Sequence, residues 1–218
     1  MEITQPIRDY SLKSFLLATI IAITSVSALQ AETRQFGNAV SMATVPGIKL
    51  SRIQRSSLKQ YRSKKSYFGA FYVVQGTDLG FWTRNFHDFD IAKSAAKKGC
   101  EIVSKGGKCE LYALVYPKGL DPNAKDARGT SQIAAKTLNR RYPKEQKTGK
   151  YGAFALNKAF GFGYSFGWDT EAEAKAAALE YCKVDSSKAL APLGIEARKW
   201  ARQRGLEKCQ IIDTHTPE

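Results

Sequence analysis

Tyr151-Gly-Ala-Phe154 and, a few residues later, Gly161-Phe-Gly-Tyr-Ser-Phe-Gly-Trp168 open the stretch of sequence that decides the fold. The first segment has the apolar and aromatic content of a β-strand, and we extend it to Asn157. The second alternates small and aromatic residues, as a strand with two different faces does. Because Gly161 and its neighbours lie close behind the first segment, the two strands are expected to form an antiparallel hairpin.

A helix and a return strand complete this unit. Thr170 and Glu173 have the spacing of a capping box, and the alanine-rich segment that follows predicts a helix to about Cys182. After an insertion, the short apolar run Gln210–Asp213 begins just behind Cys209 and predicts the last strand. The predicted order is therefore hairpin, helix and strand.

An earlier part of the chain repeats this pattern less clearly. Tyr67–Val74 and Phe81–Phe86 predict a hairpin, and Asp88 can cap a helix over Phe89–Val103. A third strand follows over Cys109–Tyr116, stopped by a proline. The fold class predicted is α+β, with two tandem modules, each an antiparallel hairpin, a helix and a return strand held by one disulfide.

The remaining segments are assigned by composition. The predicted organisation is a signal peptide at 1–31, a basic disordered arm at 32–65, the first module at 66–117, a basic linker at 118–149, the second module at 150–213 with an insertion at 183–208, and a loose tail at 214–218.

The N-terminus reads as a secretory signal. Arg8 and Lys13 precede the apolar run Phe15–Val26, and small residues then allow cleavage after Ala28 or Ala31. A retained anchor is the alternative, but the run is shorter than the ~20 apolar residues that span a bilayer. We therefore expect an exported protein, in the periplasm or secreted.

The four cysteines fit that compartment. We expect Cys100 to pair with Cys109 and Cys182 with Cys209, because each pair would join the end of a helix to the start of the next strand. Zinc binding is the rival reading, but the chain has no Cys-x-x-Cys motif and only two histidines.

Charge is the strongest indication of function. The formal net charge is +14, and it is unchanged by removal of residues 1–31. No Asp or Glu occurs from residue 33 to residue 77. A solvated, disordered arm is one reading of this segment, and an anion-seeking helix is the other. The candidate anion-binding residues are Arg52, Arg55, Lys59, Arg62, Lys64, Lys65, Arg198, Lys199, Arg202 and Arg204.

These cations point to an anionic envelope component or an acidic protein as partner. Peripheral contact with a membrane is compatible with them, whereas recognition of a specific nucleic acid is not expected outside the cytoplasm. Four aromatic residues are candidates for an exposed binding surface, although alternation along the strands places some of them in the core. They are Trp82, Tyr164, Trp168 and Trp200.

Trp200 lies among cations and suits an interfacial contact, but the favoured reading is that it packs its helix onto the second module. No residue is assigned a catalytic, cofactor-binding or metal-binding role. The glycines at 161, 163 and 167 lie within a strand rather than before a helix, so they do not form a phosphate loop. His87 and His215 are interpreted as incidental, and no nucleophile elbow accompanies them.

The second module also resembles a family of small exported bacterial domains of unknown function. The residues that carry the resemblance are Tyr151-Gly-Ala-Phe154, Tyr164-Ser-Phe-Gly-Trp168, the alanine-rich helix ending in Cys182, and Lys208-Cys-Gln-Ile-Ile212. Some similar chains carry an aminolevulinate synthase label, but this chain is far too short for such an enzyme and shows no cofactor-binding pattern.

The hypothesis from sequence is a non-enzymatic envelope or secreted protein that binds an anionic surface or partner. The opposed hypothesis is an envelope enzyme or an enzyme inhibitor that acts through the aromatic hairpins. A deep pocket lined by Tyr164 and Trp168 would favour the second hypothesis, and a filled surface there would weaken it.

Overall fold

The computed structural model describes residues 34–63, 66–124, 129–190 and 194–217. The predicted signal peptide, its cleavage site, Lys64 and Lys65 lie outside the described residues. Residues 32–218 belong to one compact unit. We call residues 34–124 the first lobe and residues 129–217 the second lobe.

Each lobe contains one antiparallel sheet. The first sheet has the strand order β1-β4-β2-β3 and the second has the order β6-β5-β7. The strands are β1 (Val40–Thr44), β2 (Gly69–Val74), β3 (Gly80–Trp82), β4 (Cys109–Pro117), β5 (Tyr151–Leu156), β6 (Phe162–Trp168) and β7 (Gln210–His215).

Helices cover both faces of each sheet, which confirms the α+β class. They are α1 (Arg52–Ser63), α2 (Phe89–Val103), α3 (Gln132–Lys136), α4 (Tyr142–Glu145), α5 (Glu171–Leu190) and α6 (Gly194–Gln203). A π-helical turn, Thr137–Arg141, joins α3 to α4. Several predicted boundaries change: β3 is shorter than expected, α5 runs eight residues past Cys182, and β7 extends into the predicted tail to His215.

The two sheets share one register. In the first sheet β2 pairs with the return strand β4, and in the second sheet β5 pairs with the return strand β7. Each ladder is interrupted by a bulge at the same position, where the extra residue is Tyr112 in β4 and Ile212 in β7. The pairs on either side of the bulge are Phe71 with Ala113 and Tyr72 with Leu111 in the first lobe, and Phe154 with Asp213 and Ala155 with Ile211 in the second.

The second helix of each lobe is attached to its sheet in the same way. The hydroxyl of Thr83 donates a 2.8 Å hydrogen bond to the carbonyl of Ala92, and the hydroxyl of Ser165 donates a 2.7 Å bond to the carbonyl of Ala174. Because these carbonyls lie in the first turn or two of α2 and α5, each bond fixes where the helix begins on the sheet.

Capping and disulfides complete the attachment. Asp88 accepts the N–H of Ile91, and Thr170 accepts the N–H of Glu173, as the sequence predicts. The disulfides Cys100–Cys109 and Cys182–Cys209 are both present, so the predicted pairing is confirmed. Each disulfide joins the buried face of a helix to the beginning of the return strand. Cys109 is the first residue of β4, and Cys209 directly precedes β7.

The prediction of a disordered arm at 32–65 is wrong for the described part of that range. Residues 40–44 form β1, which pairs with β4, and residues 52–63 form α1. Leu58 and Tyr61 of α1 are buried against Phe71 of the sheet. Gln54 is also buried, and its Nε2 donates to the carbonyls of Val74 and Leu79 at 3.1 and 2.7 Å. The helix therefore has a third inward position, which is polar.

The described part of the linker predicted at 118–149 contributes residues to the core. Tyr142 and Ala134 pack on Phe154 in the second lobe, much as Tyr61 packs on Phe71 in the first. The Tyr142 hydroxyl accepts the N–H of His215 at 3.1 Å. The segment from α3 to α4 is therefore the counterpart of α1, and each hairpin is preceded by a helix that covers the outer face of its sheet.

Helix α5 and the second sheet are in close contact at Gly163 of β6. A Cβ atom at this position would lie 2.2 Å from the main-chain nitrogen of Cys182 and 2.6 Å from the carbonyl oxygen of Ala178. Main-chain atoms of a helix cannot rotate away. The glycine therefore allows α5 to lie directly on the strand.

We expect Gly163→Ala to lower the free energy of unfolding by about 1 to 3 kcal/mol or more, because the added methyl group overpacks this contact. Urea unfolding followed by circular dichroism measures the change. Gly37→Ala is the matched control, since a Cβ there has no neighbour within 4 Å. Equal stability of the two variants would contradict the close packing.

Candidate functional site

The two lobes meet along an interface to which both contribute residues, and we call this interface the seam. Phe86 and Phe89 of the first lobe form one buried cluster with Ala159, Ala201 and Leu206 of the second. The rings of Phe86 and Phe160 meet edge to face at 5.1 Å between centroids. The apolar contact between the lobes is therefore continuous with the core of the first lobe.

Helix α6, which lies in the predicted insertion, contributes to this seam. Trp200 packs against the cluster that contains Phe86 and Phe89, and α6 contacts α2. The sequence favours packing of this helix onto the second module. The structure shows that the helix contacts both lobes. Arg204 lies over the indole, with 5.2 Å between its guanidinium carbon and the ring centroid.

His87 is the polar centre of the seam. Its main-chain N–H donates to the carbonyl of Ala159 at 2.6 Å, and its Nδ1 accepts the N–H of Ser131 at 2.8 Å. Because Nδ1 is an acceptor, the ring proton resides on Nε2. Nε2 faces the carbonyls of Phe160 and Gly161 without making a hydrogen bond of normal geometry to any described residue. Burial lowers the pKa of His87 to about 4, so the ring is neutral at pH 7.

Asn157 organises the other side of the seam. Its Oδ1 accepts the N–H groups of Ala159, Phe160 and Gly161 at 2.9 to 3.1 Å. Its Nδ2 donates to the hydroxyl of Ser186, which in turn donates to a carbonyl of α5. These buried polar groups hold the turn between β5 and β6 in place, and they are occupied by bonds within the protein.

A groove of about 780 Å³ runs along the seam. Most of its lining is apolar, from the hairpin of the first lobe, α2, α6 and the turn after β5. Lys98 and Asp185 are half-buried charged residues in its wall. Burial raises the pKa of the Asp185 carboxyl, whose Oδ2 accepts the N–H of Phe162 at 3.2 Å.

The basic face of α1 is the second surface of interest. Arg52, Arg55, Lys59 and Arg62 are all exposed and follow one another at spacings of three or four residues, so they form a stripe along the helix. Within the described residues, none of the four makes an ion pair. The cations with carboxylate partners among the described residues include Lys93, Lys108, Arg141, Lys150, Lys175, Lys183 and Arg202.

The cations on α6 and directly after it are a less coherent set. Arg202 is paired with Glu207 at 3.4 Å, and Arg204 is occupied by the ring of Trp200. Arg198 is half-buried, whereas Lys199 is exposed. The ten predicted anion-binding residues therefore fall into two described groups. The four on α1 make no ion pair within the described residues, whereas two of the four on or directly after α6 already contact a carboxylate or an aromatic ring. Lys64 and Lys65 lie outside the described residues.

The four aromatic candidates do not form one surface. Trp82 packs beside Tyr61 and lies under Arg84, with 4.5 Å between the guanidinium carbon and the indole centroid. Trp168 packs against α5, while Tyr164 lies on the opposite side of the sheet and donates to Glu145 at 2.9 Å. Burial and Glu145 together raise the pKa of Tyr164 to about 12.

Comparison with protein-family models, curated proteins and solved structures found no match for this chain. Among the described residues, no helix is long and apolar enough to cross a membrane. The same residues include no group of three or more His, Cys, Asp or Glu side chains that could hold a metal ion.

Sequence reasoning missed the part that His87 and Asn157 play in the seam. Asn157 has a usable signal, because an asparagine followed closely by a glycine typically marks a turn whose amide binds the main chain. His87 has none, since its partner Ser131 lies 44 residues away.

We expect the seam to make stability depend on pH. Because the folded-state pKa of about 4 lies below the ordinary value of 6.5, protonation favours the unfolded chain. The stabilisation from neutral His87 is complete above pH 6.5 and decreases as the pH falls towards 4. The expected loss is about 3 kcal/mol, from a shift of between two and three pKa units.

Urea unfolding of the wild type and of His87→Asn at a series of pH values measures this effect. Asparagine keeps an acceptor for the Ser131 N–H but does not titrate, so the variant should lose less stability on acidification. His215→Asn removes the other histidine and should behave as the wild type does. An unchanged pH profile in His87→Asn would show that the seam is not the sensitive element.

Proposed function

We propose that the protein is exported and binds an anionic surface of the cell envelope, without catalysing a reaction. The surface is formed by lipid head groups or by a phosphate- or carboxylate-bearing wall polymer. The contact is made by the basic face of α1, formed by Arg52, Arg55, Lys59 and Arg62. The sequence continues this run of cations through Lys64 and Lys65.

The observation that carries the proposal is the unpaired state of these four cations among the described residues. An exposed cation paired with a carboxylate has little charge left to offer a third group. A stripe of unpaired cations on a helix presents its charge in a fixed arrangement, because Leu58 and Tyr61 anchor the helix to the sheet. Each cation near an anionic membrane surface contributes about 1 kcal/mol of binding free energy.

Export is supported by two features. The disulfides Cys100–Cys109 and Cys182–Cys209 are of the kind that persists in oxidising compartments. The sequence of residues 1–31 has the composition of a cleavable signal, ending at Ala28 or Ala31. An acidic protein is a second possible class of partner for the same face, and it is an outcome that the binding test distinguishes.

The hypothesis of an enzyme or enzyme inhibitor acting through the aromatic hairpins has less support. It needs Tyr164 and Trp168 in one pocket, and they lie on opposite sides of the second sheet. Tyr164 borders a depression of only about 350 Å³. The basic face of α1 is therefore the better-supported site.

We also infer that the two lobes arose by duplication of one unit, made of a helix, a hairpin, a second helix and a return strand. The shared register, with its bulge at Tyr112 and Ile212, supports this origin. So do the paired contacts of Tyr61 with Phe71 and of Tyr142 with Phe154. Independent origins would have no reason to place a bulge at the same rung.

Binding to vesicles tests the proposed function. The probe is a vesicle of phosphatidylglycerol and phosphatidylcholine, compared with pure phosphatidylcholine, in cosedimentation at about 50 and about 500 mM NaCl, a range over which screening becomes strong. We expect binding to the anionic vesicle only, and its loss at high salt. Replacing Arg52, Arg55, Lys59 and Arg62 by Gln should weaken binding at low salt by about 100-fold or more.

The matched control replaces Lys93, Lys150, Lys175 and Lys183 by Gln, because it removes the same charge from paired positions. This control should bind nearly as the wild type does. Equal loss in both variants would mean that net charge, and not the α1 face, drives binding. Retention on a heparin column without vesicle binding would favour a polymer over lipid, and failure on both probes would oppose the proposal.

Intact-mass measurement tests export. When the full chain is produced in a bacterial host and the periplasmic fraction is purified, we expect a mature protein that begins at Leu29 or Glu32. Its mass should be lower by four hydrogens than that of the reduced chain, because both disulfides are closed. A full-length chain with free thiols in the cytoplasm would contradict export.

A further inference from the structure

The groove along the seam is the cavity that the proposed function leaves unused. Its volume of about 780 Å³ lies within the range of roughly 300 to 1,000 Å³ that small-molecule sites occupy. Both lobes supply its walls, and none of the described residues that line it belongs to α1. A ligand in the groove is therefore bound by other residues than those of the basic stripe on α1.

Four uncharged polar side chains of the groove wall are already occupied. The hydroxyls of Thr83 and Ser186 each donate to a helix carbonyl at 2.8 Å. The Asn85 side chain accepts a main-chain N–H at 3.2 Å, and Asn157 binds both Ser186 and the turn after β5. These groups leave little for a polar ligand, so we expect the part of a ligand that lies in the groove to be apolar.

Aromatic rings make up much of the remaining lining, and each lobe supplies three of them. They are Phe81, Trp82 and Phe86 from the first lobe and Phe160, Phe162 and Trp200 from the second. An apolar cavity of about 150 Å³ holds one benzene molecule, so the groove has room for a hydrocarbon chain of roughly a dozen carbon atoms or more.

Lysines lie where the groove meets a second depression. Lys98 and Ile102 line both the groove and this depression, which has a volume of about 690 Å³. The depression is lined by two glutamates, Glu101 and Glu196, and by four lysines that we call the lysine cluster: Lys97, Lys98, Lys105 and Lys108. Lys108 pairs with Glu110 at 2.8 Å, whereas the other three lysines make no ion pair among the described residues.

The other charged residues of the groove are less suited to an anion. Arg84 lies over the Trp82 ring and donates to the carbonyl of Tyr61 at 3.3 Å. Asp185 lies beside Phe162, whose N–H it accepts, and it does not line the depression that holds the lysine cluster. An anionic group is therefore most favourably placed at the lysine cluster.

We propose that the groove binds a single-chain amphiphile with an anionic head. The hydrocarbon chain lies between the lobes, and the head contacts the lysine cluster. Free long-chain carboxylic acids and lysophospholipids share this chemistry. The net charge of +14 attracts such an anion at long range and opposes a cationic amphiphile. The proposal goes beyond the vesicle contact and holds whether or not α1 binds a membrane.

Isothermal titration calorimetry of the mature chain tests the proposal, with decanoate, dodecanoate and tetradecanoate below their micelle concentrations. We expect saturable, equimolar binding that tightens by roughly three- to fourfold for each added methylene group, as burial of that group in an apolar site predicts. Dodecyltrimethylammonium has the opposite charge on a chain of similar length, and it should bind at least about tenfold more weakly than dodecanoate.

A lysophosphatidylglycerol with a dodecanoyl chain distinguishes the two sources of the ligand, because its head is a phosphate. Tighter binding of the carboxylates identifies a free carboxylic acid as the ligand class, and tighter binding of the lysolipid identifies a lysophospholipid. Either result supports the shared chemistry, whereas binding of neither contradicts it.

Two variants locate the chain and the head. Ala95 is half-buried in the groove wall, and Ala95→Phe should weaken dodecanoate binding at least about tenfold, because the ring takes the place of several methylene groups. Ala176→Phe is the matched control at an exposed position of α5. Lys98→Gln should weaken binding roughly two- to fivefold, the effect of one partly exposed charge pair. Lys183→Gln removes the same charge outside the groove and should bind as the wild type does.

The α1 variant separates this proposal from the proposed function. The chain with Gln in place of Arg52, Arg55, Lys59 and Arg62 should bind dodecanoate as the wild type does, even where it no longer binds vesicles. Circular dichroism melts verify that each variant is folded, and the chain-length series stands without any variant. Affinity that does not change with chain length, or equal affinity of the wild type and a folded Ala95→Phe, would overturn the proposal.

Discussion

The structure depends on one constraint: each central strand is apolar on both faces, so each sheet needs a helix on either side. Phe71 and Phe154 point to one face and are fully buried, each under a tyrosine from the helix that precedes the hairpin. Burial of such a ring contributes about 1.5 to 3 kcal/mol, which an uncovered face would forfeit. In the second lobe the other face carries alanines and glycines, so α5 can lie close to the main chain, where a hydroxyl and a disulfide fix it. The two faces thus use different packing, and neither helix can be omitted.

This constraint explains which parts of the fold could be predicted from sequence. The hairpins, the second helices and the disulfide pairs were predicted because their signals are local: strand alternation, caps and the spacing of cysteines. The first helices were not. In α1 the inward positions are Gln54, Leu58 and Tyr61, and a buried glutamine that binds two carbonyls cannot be recognised from hydrophobic periodicity. Before the second hairpin, the π-helical turn inserts a residue and breaks the period between Ala134 and Tyr142.

The seam illustrates a second limit. The candidate cations on α1 could be found by counting charge, and the structure adds that they lie on a helix anchored to the sheet and make no ion pair within the described residues. The seam could not be found in that way, because His87 accepts the main-chain N–H of Ser131, 44 residues away, and the position of that group depends on the fold of both lobes. A buried polar residue of this kind is satisfied by partners distant in sequence, and its identity carries little information before those partners are placed. The insertion after Cys182 had the same difficulty, since α6 contacts a helix about 100 residues earlier in the chain.

The difference between the two lobes follows from how each fills the space between strand and helix. In the first lobe Phe81 of β3 occupies that space, and the facing helix position is Gly99, where a Cβ would lie 2.3 Å from the ring. In the second lobe the strand supplies Gly163 and the helix supplies Tyr181, so the sizes are exchanged. Because the main chain of α5 already meets β6, Tyr181 has no room inside and extends to the surface beside Phe166. The packing that brings α5 onto its sheet therefore also leaves Tyr181 exposed, at the helix position where the first lobe has the buried Gly99.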